Sequence, residues 1–150
     1  MRLLLRVPDG WTARRDGDWV TVQRGAFGAR VVAAPLAGKG LDPRTLIERD
    51  LPPGATVEYV QVLDPLETRD GWRMKLVTLE VRGPGGARLE VRIAAVYDLL
   101  YYAGVAVAHI PPTSADDDRP DVLAILASAR PHLWPAEPVC IAELWSMEDP

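Results

Sequence analysis

The fold is decided by the middle of the chain, where residues 71–110 read GWRMKLVTLEVRGPGGARLEVRIAAVYDLLYYAGVAVAHI. This stretch is rich in β-branched and aromatic residues, and apolar residues alternate with polar ones along much of it, which is typical of β-strands. The run Gly83-Pro84-Gly85-Gly86 interrupts it with residues that favour a turn. We therefore expect a β-hairpin followed by a third strand.

Further strand patterns precede this stretch, and they are separated by turn-forming residues. Pro8-Asp9-Gly10 closes the first of them, and a glycine-rich loop at residues 25–28 separates the second from the third. A polar loop over residues 64–70 is expected to join the last of them to the central stretch. The predicted strands are residues 2–7, 19–23, 29–35 and 56–63.

Two helices are predicted. Asp42 is a favoured N-cap residue and Pro43 suits the first helical position, while residues 52–54, Pro-Pro-Gly, end this helix. In residues 122–130 the apolar side chains recur at helical spacing, after an acidic run at residues 116–121. The sequence thus predicts an α+β domain over residues 1–130, with an antiparallel sheet of about six to seven strands flanked by two main helices. A tail containing proline and tryptophan follows at residues 131–150.

Composition narrows the classes of function. The chain has 150 residues, a net charge of −4 and one cysteine, Cys140, so an internal disulfide is excluded. Its lysine and arginine residues are scattered, which argues against nucleic acid as a partner. Three leucines precede Arg6, a run too short for a signal peptide or a membrane span. We expect a cytoplasmic protein with no stable membrane insertion.

No catalytic motif is present, so we expect neither an enzyme nor a cofactor. The acidic residues 116–118 favour the N-terminus of the second helix, with Asp118 or its neighbour as the cap, more than a metal site. His109 and His132 are expected to be structural. An alternative stays open, a small-molecule or metal-binding domain with a pocket near His109 and the acidic loop.

Apolar side chains lie on both faces of the central strands, and such a sheet must be covered on both faces. Its own helices and the tail could cover it, or a partner protein could. Within the tail, three apolar residues can share one helical stripe after Pro138, and this stripe packs either on its own sheet or on a partner or a second copy. The residues predicted to contact a partner are Trp72, Met74, Leu76, Val96, Ile141, Leu144 and Trp145.

Two short motifs carry a family resemblance. Pro8, Gly10 and Trp11 open the chain, and Ile125-Leu126-x-Ser128 closes the second helix. With the order of elements over about residues 3–130, they resemble the PsbP-like (Mog/PsbP-like) fold family. The resemblance implies an antiparallel sheet flanked by helices that is used for binding and not for catalysis.

Within that family, the Eag-type chaperones of type VI secretion effectors are similar in length and hold hydrophobic helices of a partner. The resemblance therefore implies a non-enzymatic protein-binding module, a chaperone or adaptor for a secreted effector. A homodimer is an open alternative for its assembly.

Overall fold

The computed structural model describes residues 2–36, 43–67, 73–99 and 102–132. Within these ranges, seven strands form one antiparallel sheet in the order β2-β3-β4-β8-β7-β6-β5, and β1 pairs with β9 in a separate two-stranded sheet. The expected α+β class is confirmed, because two helices accompany this sheet in the described part of the chain. The strands are β1 Arg2–Leu4, β2 Thr12–Asp16, β3 Trp19–Gln23, β4 Arg30–Leu36, β5 Thr56–Glu67, β6 Arg73–Arg82, β7 Arg88–Leu99, β8 Tyr102–Ile110 and β9 Arg130–His132; the helices are α1 Pro43–Ile47 and α2 Ala115–Ala127.

The central stretch forms the hairpin and third strand that its pattern predicts. β6 pairs with β7 and β7 pairs with β8, both antiparallel. In the turn between β6 and β7, the Gly83 amide donates to the Ala87 carbonyl at 2.9 Å, and Gly86 has a φ of 83°, which glycine adopts without strain. β5 continues to Glu67, so the predicted loop is wrong over residues 64–67, where β5 and β6 pair across irregularities.

Strand β2 was not predicted, because its sequence Thr-Ala-Arg-Arg-Asp lacks the apolar alternation of a strand. It lies at the edge of the sheet and pairs only with β3, where Asp16 is opposite Trp19 across the two-residue turn Gly17-Asp18. Gly17 has a φ of 61°, as the first turn residue of such a hairpin requires. An edge strand tolerates polar side chains, so its pairing depends on the turn more than on burial.

The two faces of the sheet are covered differently. On the α2 face, α2 and β1 close a large apolar core, which includes Leu3, Leu5, Trp11, Val20, Val22, Met74, Leu76, Ile93, Ile125 and Leu126. The α1 face has a smaller buried cluster, formed by Ile47, Val77, Leu79, Val81 and Ala94. Because α1 is only five residues long, it covers one part of its face, and the described residues leave a neighbouring part open.

The N-terminal segment is fastened to α2 by polar contacts at the edge of the large core. The Trp11 indole donates to Asp121 at 3.2 Å, and the Arg6 amide donates to the Ser128 hydroxyl at 2.8 Å. Tyr97 is buried and donates from its hydroxyl to the Leu126 carbonyl at 2.6 Å, and burial raises the pKa of that hydroxyl well above its ordinary value. Trp11 of the opening motif and Ile125 and Leu126 of the closing motif thus belong to the same core.

Helix α2 begins at Ala115, so residues 116–118 lie in its first turn and do not precede it. The expected capping role of Asp118 is wrong. Ser114 occupies the N-cap position, and the Asp118 carboxylate lies 2.5 Å from the Arg24 guanidinium in the loop between β3 and β4. Asp118 thus ties the helix to the sheet.

The predicted boundary at residue 130 falls within a strand, because β9 spans Arg130–His132 and pairs with β1. Residues 133–150 lie outside the described residues, so the division into a domain and a tail stays a prediction.

Candidate functional site

The open part of the α1 face is a cleft of about 460 Å³, which we call the α1 cleft. The sheet forms its floor through β4, β7 and β8, and α1 with the turn after it forms one wall. Trp19, at the start of β3, stands on the other side. Among the described residues, the lining consists of Trp19, Arg30, Val32, Leu46, Arg49, Asp50, Pro52, Glu90, Arg92, Val105, Val107 and His109.

Arg92 fixes the wall of this cleft. Its side chain is only 5% exposed, and its guanidinium donates to the backbone carbonyls of Ile47, at 3.1 Å, Arg49 and Asp50, at 3.3 Å. These carbonyls belong to the end of α1 and to the turn after it, where helical carbonyls lack partners within the helix. The guanidinium therefore holds α1 against β7.

A row of ionisable side chains crosses the floor. Arg30 is paired with His109 across β4 and β8, and His109 is paired with Arg92 across β8 and β7. Glu90 accepts hydrogen bonds from the Arg92 Nε and, at 3.1 Å, from the His109 Nδ1. Burial alone would raise the pKa of Glu90, but these hydrogen bonds and the positive charge of both partners outweigh burial and lower that pKa to about 2.

The Glu90 charge is thus balanced within the row, whereas the Arg30 charge is not. In the parts of the chain that the structure describes, the exposed Arg30 side chain has neither an ion-pair nor a hydrogen-bond partner. The cleft therefore offers a guanidinium that can bind an anion, next to a glutamate that is already neutralised.

Exposed apolar side chains surround this row. Trp19 is 53% exposed at the cleft. A second depression of about 250 Å³ adjoins the cleft, and the two share Arg30, Glu90 and His109. It is lined by Phe27, which is 94% exposed, and by Leu89, which is 41% exposed. Large exposed apolar side chains that cluster around a concavity are typical of a binding surface.

Of the residues predicted to contact a partner, the three that the structure describes do not line this cleft. Met74 and Leu76 are 4% and 3% exposed and lie in the large core on the α2 face, so neither offers an exposed contact surface in this structure. Val96 is 9% exposed and pairs with Val105 of the cleft floor. Trp72, Ile141, Leu144 and Trp145 lie outside the described residues.

The alternative prediction was a pocket near His109 and the acidic loop, and the structure places only His109 at a depression. His109 lines both depressions, but none of residues 116–118 lines either of them. Asp118 is instead buried at its contact with Arg24. The sequence analysis missed three residues of this site, Trp19, Arg30 and Arg92. The one signal in the sequence that could have indicated the two arginines is their position within otherwise apolar strands.

The described ranges contain no group of three or more histidine, cysteine, aspartate or glutamate side chains that could hold a metal ion. Neither α1 nor α2 is long and apolar enough to cross a membrane.

Comparison with known proteins shows a likeness of fold. No protein family profile matches the chain, and no curated protein matches it. The solution structure of cyanobacterial PsbP from Synechocystis sp. PCC 6803 is similar with a TM-score of 0.59 and 9% identity, over 87% of this chain and 93% of that one. A crystal structure of a Pseudomonas aeruginosa protein of unknown function has a TM-score of 0.49 and 13% identity, over 83% of this chain and 99% of that one. The first likeness shows that the chain has a PsbP-like fold, as the motifs led us to expect.

Proposed function

We propose that the protein is a non-enzymatic binding module, which holds an apolar segment of a partner protein in the α1 cleft. The observation that carries the proposal is the half-exposed Trp19 beside an apolar floor that includes Val32, Val105 and Val107. Tryptophan is the side chain most enriched in the energetic centres of protein interfaces. The α2 face is an unsuitable alternative because α2 and β1 already cover it.

The finer part of this proposal is that the module acts in the cytoplasm as a chaperone or adaptor for a secreted effector, such as a type VI effector. Its support is the family resemblance of the opening and closing motifs, together with a cleft that suits an apolar segment. The sequence led us to expect Met74 and Leu76 in the partner-binding surface. The proposed surface is instead the α1 cleft, on the opposite face of the sheet.

A peptide library displayed on phage and selected on the full-length protein tests the binding function. We expect selected peptides to be rich in apolar residues and to lose most of their affinity with Trp19→Ser. Tyr59→Ser is the matched control, because Tyr59 is also an exposed aromatic residue but lies outside the lining of the cleft. Equal affinity for the two variants would overturn the proposal.

A second candidate occupant is a small organic anion with an apolar body. It is favoured by Arg30 and His109, which are paired on one concave surface, since a few placed polar groups in an apolar pocket fix the orientation of a small ligand. Native mass spectrometry of the protein purified from its host would detect such a ligand. Arg30→Ala should abolish its retention, whereas Arg88→Ala, outside the cleft, should not.

A further inference from the structure

The net charge of the protein is concentrated in its last residues. Residues 133–150 contain Glu137, Glu143, Glu148 and Asp149 and no lysine or arginine, whereas acidic and basic residues are equal in number over residues 1–132. The whole net charge of −4 therefore belongs to this tail. Leu144 and Trp145 lie between its acidic residues.

We propose that residues 139–149 of the tail dock in the α1 cleft of their own chain, with Leu144 and Trp145 against the apolar floor and the acidic side chains toward Arg30 and Arg49. The inference rests on the proposed function in that it takes the same cleft as the binding surface. It adds that the protein supplies an internal occupant, which an external partner must displace.

The point where the tail leaves the described structure suits this path. Pro131 of β9 is paired with Leu3 of β1, and the Leu3 side chain lies over Gly104 of β8 on the α2 face. The next residue of β8, Val105, lines the cleft on the opposite face. The tail therefore leaves the described structure across the sheet from the cleft, and the residues from 133 to 144 can span about 40 Å when extended.

The positive charge of the α1 cleft favours the acidic tail as its occupant. Arg30, Arg49 and Arg92 line the cleft against two carboxylates, those of Asp50 and Glu90, and the Glu90 carboxylate is already paired with Arg92 and hydrogen-bonded to His109. Among the described residues, the side chains of Arg30 and Arg49 have no ion-pair partner. An acidic segment with an apolar centre therefore complements both the guanidinium groups and the valine floor.

The single cysteine of the chain, Cys140, allows a direct test on the full-length protein. Val32→Cys places a second thiol on the cleft floor, and Ala124→Cys places one on the exposed side of α2 as the control. Oxidised glutathione accepts the two electrons as two thiols become a disulfide. We expect the thiol at position 32 to join Cys140 within one chain at least about tenfold faster than the thiol at position 124, because docking exceeds the effective concentration of a loose tether.

Charge variants make the test specific. Arg30→Glu should slow the reaction at position 32 severalfold, and adding Glu143→Arg should restore part of the rate. If Val32→Cys does not fold, Val107→Cys tests the same floor.

Equal rates at positions 32 and 124, or a disulfide that joins two chains, would overturn the docking proposal. Neither result would affect the binding of selected peptides, so this inference can fail while the proposed function stands. Conversely, a fast disulfide within one chain, found together with peptides that are indifferent to Trp19→Ser, would retain the inference and reject the function.

Discussion

At the scale of single residues, Arg92 is the side chain on which the cleft depends most. It is buried among β-strand neighbours, where an unpaired charge would be costly, and it is satisfied by one carboxylate and by backbone carbonyls at the end of α1. An arginine within an apolar strand was visible in the sequence, but its partners were not, because α1 lies far from β7 along the chain. The sequence could therefore show that Arg92 is unusual for its strand, but it could not show which groups Arg92 contacts.

We expect Arg92→Met to lower the free energy of unfolding by about 3 kcal/mol, since it leaves the carbonyls at the end of α1 without their donor and removes one of the two donors to Glu90. Arg88→Met is the matched control. Arg88 pairs with Glu80 on the surface, with a side chain that is 39% exposed, and its loss should cost less than about 1 kcal/mol. Urea denaturation of both variants measures the difference, and equal losses would refute the structural role of Arg92.

The Glu90 carboxylate makes the stability depend on pH. Its pKa is lowered from 4.5 to about 2 in the folded protein, so its contribution is complete above about pH 4.5 and is lost as pH falls toward 2. We expect the excess stability of the wild type over Glu90→Gln to shrink by about 2 kcal/mol between about pH 6 and about pH 3. Urea titrations of both proteins at each pH give this difference directly. A constant difference would show that Glu90 is not held ionised by Arg92 and His109.

At the scale of elements, the sequence predicted those whose pattern reflects burial and missed those that depend on local turns or distant contacts. β6, β7 and β8 carry long apolar patterns and were found, whereas β2 is polar and is specified by the Gly17-Asp18 turn. The start of α2 was placed too late because Asp118 suggested a cap. Its carboxylate is instead directed toward Arg24, a contact between distant parts of the chain.

The Asp118 contact gives a prediction about how α2 is held. Asp118→Asn keeps the size of the side chain and an oxygen that can accept from Arg24, but it removes the charge of the buried carboxylate from this hydrogen bond, so we expect a loss of about 1 to 3 kcal/mol. Asp117→Asn changes an exposed residue in the same helical turn and should cost less than about 1 kcal/mol, mainly through the helix dipole. Thermal unfolding followed by circular dichroism compares the two variants. A smaller effect at Asp118 than at Asp117 would contradict the assignment.

At the scale of the whole molecule, the two faces of one sheet take different roles. The face closed by α2 contains most of the buried apolar side chains, and Met74 and Leu76 contribute there to stability. The face that α1 covers only in part carries the cleft. The sequence showed that both faces are apolar, but it could not show which one stays open. That depends on the short length of α1 and on the pairing of β4 with β8, which places Arg30 beside His109.

The same organisation predicts that the tail competes with an external ligand. A cleft that its own tail occupies for about nine-tenths of the time would bind an added ligand about tenfold more weakly than an empty cleft. We therefore expect Leu144→Ser with Trp145→Ser, in the full-length chain, to strengthen the binding of a fluorescent peptide of residues 139–149 by about tenfold.

The chain contains its own control, because Leu133 and Trp134 form a second Leu-Trp pair in the tail. Leu133→Ser with Trp134→Ser removes the same two side chain types outside the proposed docking segment, and it should leave the affinity for the peptide near that of the wild type. Fluorescence anisotropy measures all three proteins after circular dichroism has verified that each is folded. Equal affinities would mean that the tail does not compete for the cleft, whereas a gain confined to the Leu144 and Trp145 variant is the result that internal docking requires.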